Sequence, residues 1–346
     1  MKKRGSVGIG IVGMGFMGLT HLRAARTLRR GKVVALVTSD RKKAKGDFSS
    51  VKGNFGAGGA RENLAGISIY PTLDDLIDDD GVDLVDICLP SYLHKDSSIR
   101  SMKAGKSALV EKPIALRPRD AVLMAKTSET SGKLLMVGQV LKFLPEFAAL
   151  SDAIRSQRYG KLLALNVRRV VAAPEWGDSW FSDPKLSGGM VVDLHIHDTD
   201  FLGHLFGKVR AVTSTGISRN SQVHFIRTTY HFGKSRNRAP LITAEAGWIN
   251  APSLAFEHGY DAFLEKATIH FNSSHCPKPR LYGLRKEKQL PVPKGNPFRS
   301  ELQAAVDSVR DDKVHPFLRA DSAADSLNVC LAEEKSVRTG KTVITA

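Results

Sequence analysis

The sequence predicts an α/β domain built on a parallel sheet, followed by an α+β domain with a mixed or antiparallel sheet. Three observations carry this. The first 140 residues alternate short apolar runs with segments of helical spacing, the pattern of βαβ units. A glycine-rich turn, Gly13 to Gly18, joins the first apolar run to the first helix. After Gly138 the alternation stops, and strand-like segments follow one another with few helices between them. At roughly 150 residues per domain, 346 residues make two domains. The change of pattern places them at 1–138 and 139–346, and the last helix is expected to pack back on the first domain.

In order, Ser6–Val12 reads as a strand covered on both faces. Met17–Arg30 follows as helix, with Leu22, Ala25 and Leu28 at helical spacing, and Val33–Val37 as a second buried strand. Residues 41–66 hold Gly56, Gly58, Gly59 and several lysines without periodicity, which predicts a poorly packed or mobile segment. Thr72 to Asp75 has the shape of a capping box. Leu84–Leu89 is a strand stopped by Pro90, His94–Ala104 a helix, Ser107–Val110 a strand and Pro118–Ser131 a helix with proline at its start. Leu134–Val137 closes the series. In the second half Leu162–Val171, Ala211–Ser218, His224–Phe232, Leu241–Trp248, Ala267–Asn272 and Arg280–Gly283 read as strands. Gly189–Phe206, Phe298–Arg310 and Asp321–Arg338 read as helices, and 277–298 as an irregular basic loop.

Composition narrows the function classes. Hydrophobic residues at 42% and charged residues at 25% exclude a disordered or fibrous chain. The 51 Lys and Arg against 35 Asp and Glu leave a net charge of +16, a surface that attracts anions without choosing among them. Cys88, Cys276 and Cys330 are few and odd in number, which fits a reducing compartment. The basic start and apolar run to Leu19 mimic a signal peptide, but five glycines interrupt the run. No stretch reaches the roughly 20 apolar residues of a membrane span. A cytoplasmic chain with no membrane or nucleic-acid partner is expected. Lys278, Arg280, Arg285, Lys286, Lys288 and Lys294 lack interleaved aromatics and read as a solvated loop.

Gly13, Gly15 and Gly18 form G-x-G-x-x-G between strand and helix, the dinucleotide fingerprint of a Rossmann domain. Backbone amides at Phe16, Met17 and Gly18 then face a pyrophosphate at a helix N-terminus. The ribose-reading position, about 20 residues on, falls at Thr38 and Ser39 rather than at an acid. Asp40, Arg41, Lys42 and Lys43 follow. Neutral hydroxyls with cations nearby suit a 2′-phosphate, so NADP is expected ahead of NAD. The plainer reading is a solvated basic turn with Asp40 as its cap.

Glu111-Lys112-Pro113 stands at the carboxyl end of a strand, the edge along which open α/β sheets bind ligands. Lys112 there can donate to a substrate oxygen, with Pro113 a candidate cis peptide; alone, the tripeptide is only a charged turn. Further on, Asp193 and His197 are i and i+4, so on a helix they share a face, with Asp200 near it. A carboxylate beside an imidazole orients it for general base work. His195 points elsewhere and reads as a packed histidine. No third ligand completes a metal site with His195 and His197, and no metal is expected. Flat rings at Trp176 and Trp180 suit a sugar face or core packing equally.

Taken together, these motifs resemble those of the Gfo/Idh/MocA oxidoreductases. The resemblance rests on the N-terminal glycine motif, Pro90-Ser91 with His94, Glu-Lys-Pro at 111–113, Gly138-Gln139-Val140-Leu141-Lys142-Phe143, the Gly188-Gly189…Asp193…His197 helix and the final Ala332…Ser336…Gly340 helix. It implies a second domain with a large, open, mostly antiparallel sheet, and NAD(P)-dependent hydride transfer at a hydroxyl or keto group of a sugar, cyclitol or similar polyol. It carries Lys112, Asp193 and His197 over as the catalytic set. Pro90, Ser91, His94, Glu111 and Gln139 become cofactor-lining residues and Lys142 a substrate contact. It also implies a homodimer or homotetramer associating through the C-terminal sheet. Ser91 replaces the Asn that many members have after the proline, and Lys142 stands where many have Arg. The rival class is a catalytically silent, dinucleotide-sensing regulatory protein on the same fold.

Overall fold

The computed structural model describes residues 5–53, 56, 58–174, 180–233, 239–249 and 251–345. The chain forms two compact units, residues up to 140 with 296–324, and 141–295 with 325 onward. Its first elements are β1 (Val7–Val12), α1 (Phe16–Ala25), β2 (Gly31–Val37), β3 (Ser68–Tyr70), α2 (Leu73–Ile77), β4 (Leu84–Ile87), α3 (His94–Lys103), β5 (Ser107–Glu111), α4 (Pro118–Ser131) and β6 (Leu135–Gly138). Then come α5 (Pro145–Arg155), β7 (Leu162–Val170), α6 (Pro184–Ser187), α7 (Ile196–Phe206), β8 (Ala211–Arg219), β9 (Gln222–His231), β10 (Leu241–Gly247), β11 (Glu257–Leu264), β12 (Ala267–Asn272), β13 (Cys276–Gly283), β14 (Glu287–Gln289), α8 (Pro297–Asp311), α9 (Ala320–Thr339) and β15 (Val343–Ile344). Among the described residues no helix is long and apolar enough to cross a membrane.

The first unit is a Rossmann domain. Six parallel strands run in the order β3-β2-β1-β4-β5-β6. The order reverses between β1 and β4, and the carboxyl ends of strands at such a reversal are where open α/β sheets take their ligands. Every residue of β1, β4, β5 and β6 is buried, as strands covered on both faces require. The capping box forms as its spacing predicts, with the Asp75 amide donating to Thr72 Oγ1. Residues 296–324 join this unit, where two contiguous domains were expected. The reason is packing: Val306 of α8 closes on Gly31, at the start of β2. Arg299 donates to the Thr27 carbonyl and the Gln303 amide to that of Arg29. Of α9, residues 320–324 count with the first unit and the rest with the second.

The poor packing expected of 41–66 is corrected by its ends. Phe48 is fully buried, and the Glu62 carboxylate holds Arg23 of α1 at 2.7 Å. Gly53 lies so close to the Phe16 ring that a side-chain carbon at Gly53 would fall 2.1 Å from it. Periodicity does not reveal such an anchor, because it comes from two long-range contacts.

The second unit carries a nine-stranded sheet in the order β14-β13-β12-β11-β7-β10-β9-β8-β15, antiparallel except where β7 meets β10. One face builds a core with α5, α7 and α9, around Phe147, Phe201, Tyr260 and Phe271. The other face was expected to be apolar, and mostly it is not. Thr213, Thr229, Thr243, Asn166, Asp261 and His270 stand side by side across six strands. The Thr243 hydroxyl donates to Asn166 at 3.0 Å, and His270 meets Asp261 at 2.6 Å. One neighbouring row, Leu241, Ala164, Phe263, Thr268 and Tyr282, is apolar apart from Thr268, and its Leu241, Phe263 and Tyr282 are exposed. The basic loop expected over 277–298 is instead partly the β13–β14 hairpin. Its Pro277 and Pro279 lie where the β12–β13 register is irregular, which is where a strand tolerates proline.

Candidate active site

Each glycine of the first turn has a distinct physical job. Gly13 has φ +94°, and a Cβ there would fall 2.6 Å from the Cys88 carbonyl oxygen. Such a turn needs a residue free to adopt positive φ. At Gly18 a Cβ would fall 2.1 Å from the Gly13 carbonyl oxygen, so helix and turn touch backbone to backbone. At Gly15 nothing lies within 4 Å of where a Cβ would be. Gly15 is also the N-cap of α1, and no side chain caps that end. Open space at a helix N-terminus, ringed by Phe16, Met17 and Gly18, is what a pyrophosphate requires. Gln139, at the end of β6, fits a bound ligand too: it is 1% exposed, and neither amide atom has a hydrogen-bond partner among the described residues. Burying an unpaired amide is costly, so a nicotinamide dinucleotide suits the residues present.

At the end of β2 the Thr38 amide donates to the Tyr70 carbonyl, and its hydroxyl accepts from the Asp40 amide at 3.2 Å. Asp40 accepts from the Lys42 amide at 2.7 Å and the Lys43 amide at 3.2 Å. Those two amides, Lys43 first, hold its carboxyl below the ordinary range. Asp40 is thus the cap of a basic turn. Thr38 is half-buried beside it, and Ser39, Arg41 and Lys42 are exposed.

At the end of β5 the Glu111 carboxylate accepts the Lys112 amide at 3.1 Å, and the Lys112–Pro113 bond is cis. His94, 1% exposed, sets one ring nitrogen 2.7 Å from the Pro113 carbonyl and the other 2.8 Å from that of Leu89. Burial outweighs both carbonyls and lowers its pKa. Expected to line the cofactor, His94 instead braces the Lys112–Pro113 turn against the end of β4. Pro90 and Ser91 begin the short 3₁₀ turn next to it, with Ser91 buried.

In the second unit, the continuous helix expected over 189–206 is split. Val191–His195 is a π-helical turn, and α7 begins only at Ile196. Such turns often sit at functional sites. From Gly189 to Leu202 every residue is buried except Asp193 and His197. Those two therefore alone open this segment to a ligand. His195 is fully buried, 3.0 Å from the Tyr230 hydroxyl and 3.4 Å from Glu333. Burial alone would lower its pKa, but the Glu333 and Asp198 carboxylates together outweigh it and raise the value.

Two expectations are corrected here. Asp200 does not join the face of Asp193 and His197, because it is 1% exposed and paired with Lys142. Lys142, expected to touch substrate, has its ammonium 2.7 Å from Asp200 Oδ2 with 2% of its side chain exposed. A buried cation takes the nearest carboxylate. Trp180 is half-buried and stacks on Phe181 at 3.8 Å between ring centres. Trp176 lies outside the described residues.

Of one buried group the sequence reading named only Glu111. His21, Asp86, Glu111 and Glu301 converge inside the first unit, with the His21 side chain 0% exposed. A carboxylate in the apolar run Leu84–Ile87 was the available sign, since a buried charge needs a partner.

A profile described as an oxidoreductase family with an NAD-binding Rossmann fold matches residues 7–139, and the GFO/IDH/MocA C-terminal domain matches 147–252. The chain is 26% identical over 303 residues to 1,5-anhydro-D-fructose reductase of Ensifer adhaerens, covering 84% of this chain and 88% of that protein. It is 23% identical over 240 residues to the NADP(+) scyllo-inositol 2-dehydrogenase IolW of Bacillus subtilis, covering 67% and 62%. A solved NAD-binding oxidoreductase from Klebsiella pneumoniae superposes with a TM-score of 0.79 at 19% identity, over 99% of both chains. With both domains matched in order and the glycine cradle built, the chain belongs to the GFO/IDH/MocA family of NAD(P)-dependent oxidoreductases.

Proposed function

We propose that this enzyme interconverts a secondary hydroxyl and a keto group on a sugar, cyclitol or similar polyol. The observation that carries it is the pattern of exposure over 189–202, where Asp193 and His197 alone escape burial. A bound nicotinamide supplies or accepts the hydride. His197 takes the proton of the substrate hydroxyl and returns it in the reverse direction. Asp193 orients His197, and the Lys112 ammonium donates to the substrate oxygen as charge develops on it. The relatives named for anhydrofructose and inositol support this substrate class. The test is NADPH and NADH oxidation by purified protein against a panel of keto-polyols. Turnover with at least one is expected, and none with any would overturn the reading.

NADP is the proposed cofactor. An acid at position 38 would accept from a free ribose hydroxyl and repel a 2′-phosphate; Thr38 and Ser39 can donate to it. One charge-assisted contact contributes about 1.5–3 kcal/mol, roughly tenfold or more in affinity. Thr38→Asp is therefore expected to weaken NADPH at least tenfold more than NADH, read by fluorescence titration. A wild type that already prefers NADH tenfold would remove Thr38 from this role.

The exposed row of Leu241, Phe263 and Tyr282 supports association of copies through the outer sheet face as a dimer or tetramer. Light scattering is expected to give at least twice the 37.7 kDa of one chain, and a monomer at micromolar concentration would refute it.

A further inference from the structure

We propose that His21 is a positioning residue for Lys112: it holds the Glu111 carboxylate, and that carboxylate holds the Lys112 amide at the end of β5. The inference rests on the catalytic role proposed for Lys112. Each link is short. His21 Nδ1 lies 2.9 Å from Asp86 Oδ2 and 3.1 Å from Oδ1. Its Nε2 lies 3.2 Å from Glu111 Oε1, and the other Glu111 oxygen accepts the Lys112 amide at 3.1 Å.

His21 meets carboxylates on both ring nitrogens, and a carboxylate accepts but does not donate. Nδ1 hydrogen-bonds Asp86, while the Nε2–Glu111 contact is an ion pair outside hydrogen-bond geometry, and both carboxylates favour the imidazolium. Burial would lower the His21 pKa, but Asp86 and Cys88 together outweigh it and the result is well above the ordinary value. Burial would likewise raise Glu111, yet His21 and then Lys112 hold it below the carboxylate range. Glu111 is thereby kept as an anion, the strong form of an acceptor. The remaining neighbours do not displace this arrangement. Cys88 Sγ is 3.4 Å from Nδ1, and burial keeps it a thiol. Glu301 Oε1 of α8 is 3.9 Å from Nε2, and the Phe298 ring centre lies 6.0 Å away.

The consequence reaches past the lysine. His21 stands six residues beyond Gly15, about 9 Å along α1. One buried imidazolium therefore ties the helix whose N-terminus cradles the pyrophosphate to the turn that carries Lys112. Removing it frees the lysine turn while the glycine cradle keeps its own backbone geometry.

The test uses full-length His21→Gln, Glu111→Gln and the double variant, with Asp86→Asn as the milder change should His21→Gln not fold. Amide hydrogen exchange at Lys112, resolved by fragmentation mass spectrometry, needs no substrate. A hydrogen bond to a charged group is worth a factor of about ten or more, so exchange at Lys112 is expected to rise at least that much in each single variant, with α4 unchanged. The double variant should add little, because both remove one chain of contacts. In His21→Gln the cofactor dissociation constant should stay within about threefold, while kcat falls roughly 10- to 100-fold through misplacement of the ammonium. Unchanged exchange at Lys112 would overturn the proposal. So would exchange rising equally throughout the chain, the mark of lost stability alone. One equivalent of a divalent metal in the purified protein, absent from His21→Gln, would also overturn it, since His21, Glu111 and Glu301 would then be ligands. Lys112→Ala separates the two readings: an active Lys112→Ala overturns the catalytic role, and an exchange-silent His21→Gln overturns this one.

Discussion

Lys112→Ala is expected to lower turnover by about 10²–10⁴-fold, or roughly 2.7–5.5 kcal/mol of transition-state stabilisation. The expectation starts from place. Lys112 follows β5 at the carboxyl edge of the parallel sheet, where the Glu111 carboxylate and the His94 ring fix its turn from behind. An ammonium held in position donates to an oxygen that gains charge during hydride transfer, and that interaction strengthens in the transition state. The loss should therefore fall on kcat, with the cofactor dissociation constant within about threefold of wild type, since the glycine cradle is untouched. Steady-state kinetics with any panel substrate, alongside cofactor titration, measures both. Wild-type kcat in the variant would remove Lys112 from the mechanism. Equal loss of kcat and cofactor binding would make it a cofactor ligand instead.

Asp200→Asn is expected to destabilise the protein by about 3–5 kcal/mol, because it leaves the Lys142 ammonium buried without its counter-charge. Lys142 lies 2.7 Å from Asp200, and Ser326 donates to the same carboxylate at 3.3 Å. Burial pushes the Asp200 carboxyl up, and Lys142 only partly restores it. The pair is thus costly to bury and costlier to break. The double variant Lys142→Met with Asp200→Asn should recover much of the loss, since it removes the stranded cation and keeps an acceptor for Ser326. Thermal unfolding should show a melting temperature roughly 6–20 °C lower for Asp200→Asn and closer to wild type for the double. Additive losses in the double variant would show that the two charges do not act as a pair.

Much of the first unit was legible in the chain. Buried strands, the glycine turn, the Thr72–Asp75 cap and the Pro118–Ser131 helix are local features, each written within a few residues. Most strands of the second unit were legible too, because half-buried antiparallel strands alternate. Glu257–Leu264 escaped notice although alternate residues along it are buried, and Pro145–Arg155 was not read as a helix at all.

The candidate site divides along the same line. Residue types and spacing singled out Gly13, Gly15, Gly18, Lys112, Asp193 and His197, because a phosphate cradle and a carboxylate–imidazole pair are short-range patterns. Three things were decided by tertiary structure. Lys142 and Asp200 are 58 positions apart and found each other only in the folded core. His94 was claimed by two backbone carbonyls. His21, Asp86, Glu111 and Glu301 come from one helix, two strands and a second helix far along the chain. The physical reason is shared. A buried charge must find an opposite charge or a hydrogen bond, and nothing in its own neighbourhood says which distant residue will supply it.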